Sequence, residues 1–205
     1  MADIIFLLII LIFSVVIHEV SHGSVANMLG DPTAKYAGRL TLNPIPHLDP
    51  IGSFLVPVFL LFITGGQGPV FGWARPVPVN PYNLRNPRWD GAKVAVAGVS
   101  ANFALALVFG LALRFLAVPA GVAPLFSAIV LLNLLLGAFN LVPIPPLDGS
   151  RILLAVLPDR FWKFKAFLEQ YGMFILLFFI FFGIKLIFPV VFLAYNLIVG
   201  TLPAF

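Results

Sequence analysis

The chain of 205 residues is 61% hydrophobic and only 10% charged, with a formal net charge of +4. Soluble domains carry about 25% charged residues, so a water-soluble globule is excluded and the chain reads as a polytopic membrane protein. With no cysteine, disulfides, thiol catalysis and thiolate ligation are excluded. The basic residues are scattered over short loops, where they report membrane orientation rather than nucleic-acid binding.

Residues 3 to about 26 predict the first spanning helix, which has no charge from Ile4 to Ile17 and one hydroxyl there, Ser14. The stretch has no basic n-region and is expected not to be a cleaved signal peptide. Near its end stands His18-Glu19-Val20-Ser21-His22. On a helix the two imidazoles, four residues apart, stack on one face, with Glu19 beside them. This is the H-E-x-x-H pattern, in which two histidines hold a zinc and the Glu serves as general base. Two of the three histidines of the chain fall within these five residues. Three ionisable groups in hydrocarbon are costly unless they face a cavity or a partner.

Gly30-Asp31-Pro32 ends the first helix, and residues 32–50 form a polar connection. Leu40, Leu42 and Ile45 alternate with Thr41 and Asn43, which allows a short strand limited by Pro44, Pro46 and Pro50. Ile51 to Thr64 is apolar but only 14 residues long. A span needs about 20, so a re-entrant or interfacial segment is expected. A breaker cluster at 65–69 follows. The prolines of Trp73-Ala74-Arg75-Pro76-Val77-Pro78-Val79-Asn80-Pro81 then favour extended backbone.

Residues 91–116 predict the next span, lined with small residues that permit close helix contact and carrying Asn102 at depth. A buried amide there is either an interhelical hydrogen bond or an active-site donor. Residues 122–141 form a third span, with Asn133 inside and Asn140 at its end. Pro143, Pro145 and Pro146 then break the helix just before Asp148-Gly149. Broken backbone at membrane depth is tolerated only where it is buried in protein or lines a watered cavity, which marks Asp148. Residues 150–170 are amphipathic and basic. The apolar block 171–200 is long for one span and predicts one to about Phe188 and a shorter one after it. The fold class is therefore all-α, with about five transmembrane helices, a short apolar segment and a broken helix carrying the second motif. The chain reads as one domain, with a core over about residues 3–158 and C-terminal membrane helices over about 168–203.

A catalytic zinc usually has three protein ligands, and the candidates for the third are Asp148, His47 and Glu169. Of these, Asp148 sits in a motif that only a structured pocket tolerates. The two motifs together, His18 to His22 and Asn140 to Gly149, resemble the site-2 protease family of intramembrane zinc metalloproteases. The segments 42–50 and 72–81 are similar to a compact branch of it without a PDZ domain. The resemblance implies one zinc per chain on His18, His22 and Asp148, Glu19 as catalytic base, and Asn140 as a donor to the substrate or its oxyanion. It extends to Asn102 with less support, because the Pro that the family often carries near that Asn is absent from Gly98-Val99-Ser100-Ala101-Asn102. The implied activity is hydrolysis of peptide bonds in or near transmembrane segments of membrane protein or peptide substrates, by Glu-assisted attack of zinc-bound water.

If the two motifs meet, helix one and the 122–141 helix run in the same direction. Ten basic residues then lie on the motif side, against Arg114 on the other. The positive-inside bias places the active site nearer the cytoplasmic face of the cell membrane. Two other classes remain. A transporter would explain broken helices but not histidines flanking a glutamate. A catalytically silent metal-binding scaffold would keep the ligands without cleavage.

Overall fold

The computed structural model describes residues 2–65 and 72–200. Among them there are helices, turns and extended loops, and no strand. Helix α1 (Ala2–Met28) is followed by one turn, α2 (Thr33–Tyr36). A π-helical turn over Pro50–Leu55 leads into α3 (Val56–Thr64), which stops at Gly65 in the left-handed region. Then come α4 (Pro87–Phe115), α5 (Ala123–Asn140), α6 (Asp148–Val156), α7 (Trp162–Phe178) and α8 (Ile187–Val199).

Helix α4 is the axis of the bundle, packing on α1, α5, α6 and α8. Its start is fixed by a reciprocal cap. Asn86 accepts from Trp89 N, Asp90 accepts from Asn86 N, and Pro87 takes the first helical position, where a missing N–H costs nothing. The apolar core joins Ala106 of α4, Val130 and Leu134 of α5, and Ile187, Val191 and Tyr195 of α8. The tyrosine hydroxyl is satisfied there by Ser127 Oγ at 2.6 Å. Outward faces carry exposed Leu7, Leu8, Val108, Phe115, Phe174 and Phe178, the inverse of a soluble surface. The chain is a multi-pass membrane protein. Four helical stretches among the described residues are long and apolar enough to cross: Ile5–Met28, Pro87–Phe115, Ala123–Asn140 and Asp159–Val199.

The C-terminal block differs from the two spans expected. It is one stretch, interrupted by a π-turn at Phe179–Gly183 and a 3-10 turn at Ile184–Leu186. Pro189 does not break it, because it falls in the first turn of α8, where no intrahelical N–H is needed. The stretch crosses once. Arg88 at the start of α4 binds Ala155 O, Leu157 O and Asp159, and Arg114 at the end of α4 binds Leu197 O.

The short apolar segment is too short to cross. The helical stretch Pro50–Thr64 spans only about 22 Å at 1.5 Å per residue, short of a hydrocarbon core of about 30 Å. Its two flanks are tied together, since Trp73 N donates to Gly52 O at 3.1 Å and Ser53 Oγ donates to Trp73 O at 3.0 Å. It leaves and returns at the same place.

The strand considered at Leu40–Ile45 does not form. Thr41 Oγ1 accepts from Asn43 N and Asn43 Oδ1 accepts from Ile45 N, so local side chains take the donors that a ladder would use. A 3-10 turn, Ile45–His47, follows. The extended backbone of this layer is instead 72–80, as the prolines predict.

Candidate metal centre

The H-E-x-x-H stretch lies in the second half of α1, and its two histidines face α4. His22 Nδ1 is 2.7 Å from Val94 O, a carbonyl that can only accept. The proton is therefore on Nδ1 and Nε2 carries a bare lone pair. His18 Nδ1 is 2.7 Å from Asn102 Oδ1. The amide is oriented by Asn133, whose Oδ1 accepts from Asn102 Nδ2 at 3.0 Å and whose Nδ2 donates to Ser14 Oγ and Ile129 O. His18 thus also presents an unprotonated Nε2. The polar chain His18–Asn102–Asn133–Ser14 is buried throughout and gives Ser14, Asn102 and Asn133 their partners.

Asp148 opens α6, directly after the proline-broken end of α5. Gly149 makes the joint possible, because a Cβ there would stand 2.1 Å from Leu141 O. The approach brings Asp148 Oδ2 to 3.2 Å from both His18 Nε2 and His22 Nε2, which are themselves 2.9 Å apart. With both ring protons held on Nδ1, three lone-pair atoms converge with no donor among them. Asp148 Oδ2 is buried and has no hydrogen-bond partner. A bound cation satisfies such a ligand set, and two imidazole nitrogens with one carboxylate oxygen suit zinc chemistry.

Of the other third-ligand candidates, Glu169 is exposed on α7 and His47 is buried in the connecting layer. His47 has a structural task there. Its Nε2 donates to Thr41 O at 3.0 Å, and its carbonyl accepts from Arg75 N. Among the described residues His18, His22 and Asp148 form the one cluster able to hold a metal.

Glu19 Oε2 accepts from Val77 N at 2.7 Å, so the extended segment lies against the glutamate. Asn140, the last residue of α5, donates one amide N–H to Leu136 O at 3.0 Å. Helix α4 passes the histidines at Gly98, where a Cβ would sit 2.4 Å from His22 Cε1 and 2.7 Å from His18 Cε1. Asp31, noted in the sequence only as a helix end, holds this layer to α1. It accepts from Asn80 N, Asn83 Nδ2, Thr33 N and Thr33 Oγ1. Backbone partners such as Val94 O and Val77 N have no signature in side-chain type. Asp31 and Asn83 carried the usable signal of polar residues ending an apolar run.

Residues 116–183 match the family described as Peptidase family M50. The chain is 41% identical over 181 residues to "Putative zinc metalloprotease YwhC" of Bacillus subtilis, covering 84% of this chain and 78% of that protein. The chain belongs to peptidase family M50. It is also 27% identical over 160 residues to the zinc metalloprotease MJ0392 of Methanocaldococcus jannaschii, covering 78% of this chain and 37% of that protein. Against Rip2 of Mycobacterium tuberculosis, also named as a putative zinc metalloprotease, identity is 36% over 146 residues, or 68% of this chain and 52% of that protein. No solved structure matches. This M50 chain therefore brings together, from helices 126 residues apart in sequence at His22 and Asp148, a donor set fit for a metal.

Proposed function

We propose that this M50 protein is an intramembrane zinc endopeptidase that hydrolyses peptide bonds in or near transmembrane segments of membrane protein substrates. The observation that carries the reading is the convergence of His18 Nε2, His22 Nε2 and Asp148 Oδ2, with both Nδ1 atoms committed to acceptor oxygens. Bound there, zinc supplies a water of near-neutral pKa and a Lewis acid for the scissile carbonyl.

The residues of the chain do the rest. Val94 O and the Asn102 amide hold both imidazoles in the metal-binding tautomer. Glu19 takes the proton of the attacking water and delivers it to the leaving nitrogen, held in place by the Val77 amide. Asn140 keeps one amide N–H beyond the one given to Leu136 O, and offers it to the substrate carbonyl as negative charge develops there. The substrate must arrive with its backbone unwound, because a helix in lipid has every amide paired internally. The basic excess on the motif side supports a site nearer the cytoplasmic face. A transporter would explain the broken helices but gives no reason for a glutamate between two metal-ligating histidines.

The test is zinc content and cleavage of a transmembrane model substrate by detergent-purified protein. Wild type should hold about one zinc per chain and cleave, by the ligand count of a catalytic site. Glu19→Gln should keep the metal and lose cleavage. His22→Ala and Asp148→Ala should lose both. Cleavage by the Glu19 variant, or full zinc affinity without Asp148, overturns the assignment.

A further inference from the structure

The layer over the end of α1 holds a second polar site that the metal centre does not use. Arg39 is buried, 6% exposed, and has no carboxylate partner among the described residues. Its two hydrogen bonds both leave from Nη2, to Arg75 O at 2.6 Å and Pro76 O at 3.4 Å, and its Nε is buried with no partner. A pocket of about 280 Å³ opens beside it, lined by Ala37, Arg39, Pro46, Arg75, Pro76 and Pro78, and the charge of the exposed Arg75 is close enough to act on Arg39. The walls offer no acidic group. Burial and the neighbouring Arg75 both disfavour the Arg39 charge, and Glu19 favours it without forming an ion pair with it.

The acidic residues of this layer are engaged elsewhere. Glu19 takes Val77 N, Asp31 takes Asn80 N, and Asp49 takes Ile51 N and Gly52 N. Residues 66–71 contain no acidic side chain. Two like charges are thus gathered about one pocket, one of them buried with an unspent N–H, and no carboxylate among the described residues pairs with either. An uncompensated buried charge is costly, so the pocket is built for an anion from outside.

The geometry points to a phosphate-binding site formed by Arg39 and Arg75. Planar guanidinium forks match an oxyanion with several acceptor oxygens. The volume lies just below the range of about 300–1,000 Å³ typical of organic ligands, which suits a phosphate with its nearest substituents. Two sources share this chemistry: an anionic lipid headgroup and free phosphate. Exposed Trp73, Tyr36 and Tyr82 and the basic Lys35, Arg85 and Arg88 surround the layer, an aromatic and cationic setting that belongs at a lipid interface. The pocket is lined by Pro76 and Pro78, which flank the Val77 whose N–H holds Glu19, so its occupancy braces the strap that positions that carboxylate.

The test uses the full chain, delipidated in detergent. Native mass spectrometry reads retention of phosphatidylglycerol against phosphatidylcholine, and melting temperature reads titration with inorganic phosphate. The expected result is one anionic lipid held per chain, or a phosphate-dependent rise in melting temperature. Arg75→Ala should weaken that binding about tenfold or more with zinc content unchanged, and Arg39→Lys should weaken it also, because a fork-shaped donor is lost. Arg85→Ala, a basic neighbour outside the pocket, should leave it unchanged. Lipid retention alone assigns the headgroup, and a phosphate effect alone assigns the free anion. No preference for the anionic lipid together with no phosphate effect overturns the site. So does binding unaltered in Arg75→Ala, or weakened equally in Arg85→Ala. If Arg39→Lys fails to fold, Arg75→Ala decides.

Discussion

His18 Nδ1 and Asn102 Oδ1 stand 2.7 Å apart across the α1–α4 contact, and that one hydrogen bond decides which nitrogen His18 offers to a metal. Without it the imidazole is free to rotate or to place its proton on Nε2. Asn102→Leu keeps the volume and removes the acceptor. Zinc affinity should fall about 10- to 100-fold, the usual cost of losing an outer-shell partner. Competition against a chelator of known affinity reads this directly. Affinity equal to wild type would mean that packing alone orients the ring.

Gly98 sets how near α4 can come to the histidines. A Cβ there would lie 2.5 Å from His22 Nε2, inside any real contact. Gly98→Ala should displace both rings and reduce bound zinc well below one per chain, while the helix itself gains propensity, by about 1 kcal/mol in an exposed host. Gly91→Ala on the same helix, where a Cβ meets nothing within 4 Å, is the matched control and should hold metal normally. Metal analysis of the two variants side by side makes the comparison.

These two contacts show how far sequence reading reaches. The ligand positions follow from helical spacing and from prolines that break a span before Asp148, because both are written in residue type. That α3 is too short to cross follows equally from its length. Asn102 is different. The sequence shows a polar group that must be satisfied, but which group satisfies it depends on the rotation of α4 against α1, a packing outcome. Val94 O and Val77 N are backbone atoms and invisible in composition. The Leu40–Ile45 alternation misled because side-chain turns at Thr41 and Asn43 took the backbone donors first. The long C-terminal stretch hid its continuity for a related reason. A proline after a turn reads as a stop in sequence and as a first-turn residue in the structure.

Asp31 carries a pH prediction. Burial opposes its charge, but hydrogen bonds from Thr33, Asn83 and Asn80 outweigh it and hold the carboxyl below its ordinary range. A folded-state pKa lower than the unfolded one stabilises fully above the unfolded value, about 3.9, and the gain is lost as pH falls through the folded value. Wild type should therefore outlast Asp31→Asn in thermal unfolding at neutral pH, and the gap should close below about pH 4. At neutral pH the variant leaves a backbone amide facing an amide group, at a cost of about 1–3 kcal/mol. A gap that stays constant from pH 6 to pH 3 would sink this account.

The contact between Glu19 and Val77 gives the last prediction. Val77 N–H is the only hydrogen-bond donor to Glu19 among the described residues, at 2.7 Å, and it belongs to backbone already extended between two prolines. Val77→Pro removes the N–H and asks for little change in backbone shape. The carboxylate then loses its anchor while the metal ligands keep theirs. The expected outcome is normal zinc content with a turnover number lowered about 10- to 100-fold, since a base misplaced by about 1 Å forfeits that much. Val77→Ala retains the N–H and should stay near wild type. If the alanine variant loses as much activity as the proline variant, the side chain of Val77 matters and its amide does not. If neither loses activity, Glu19 finds its working position from α1 alone, and the extended segment serves some purpose other than holding the base.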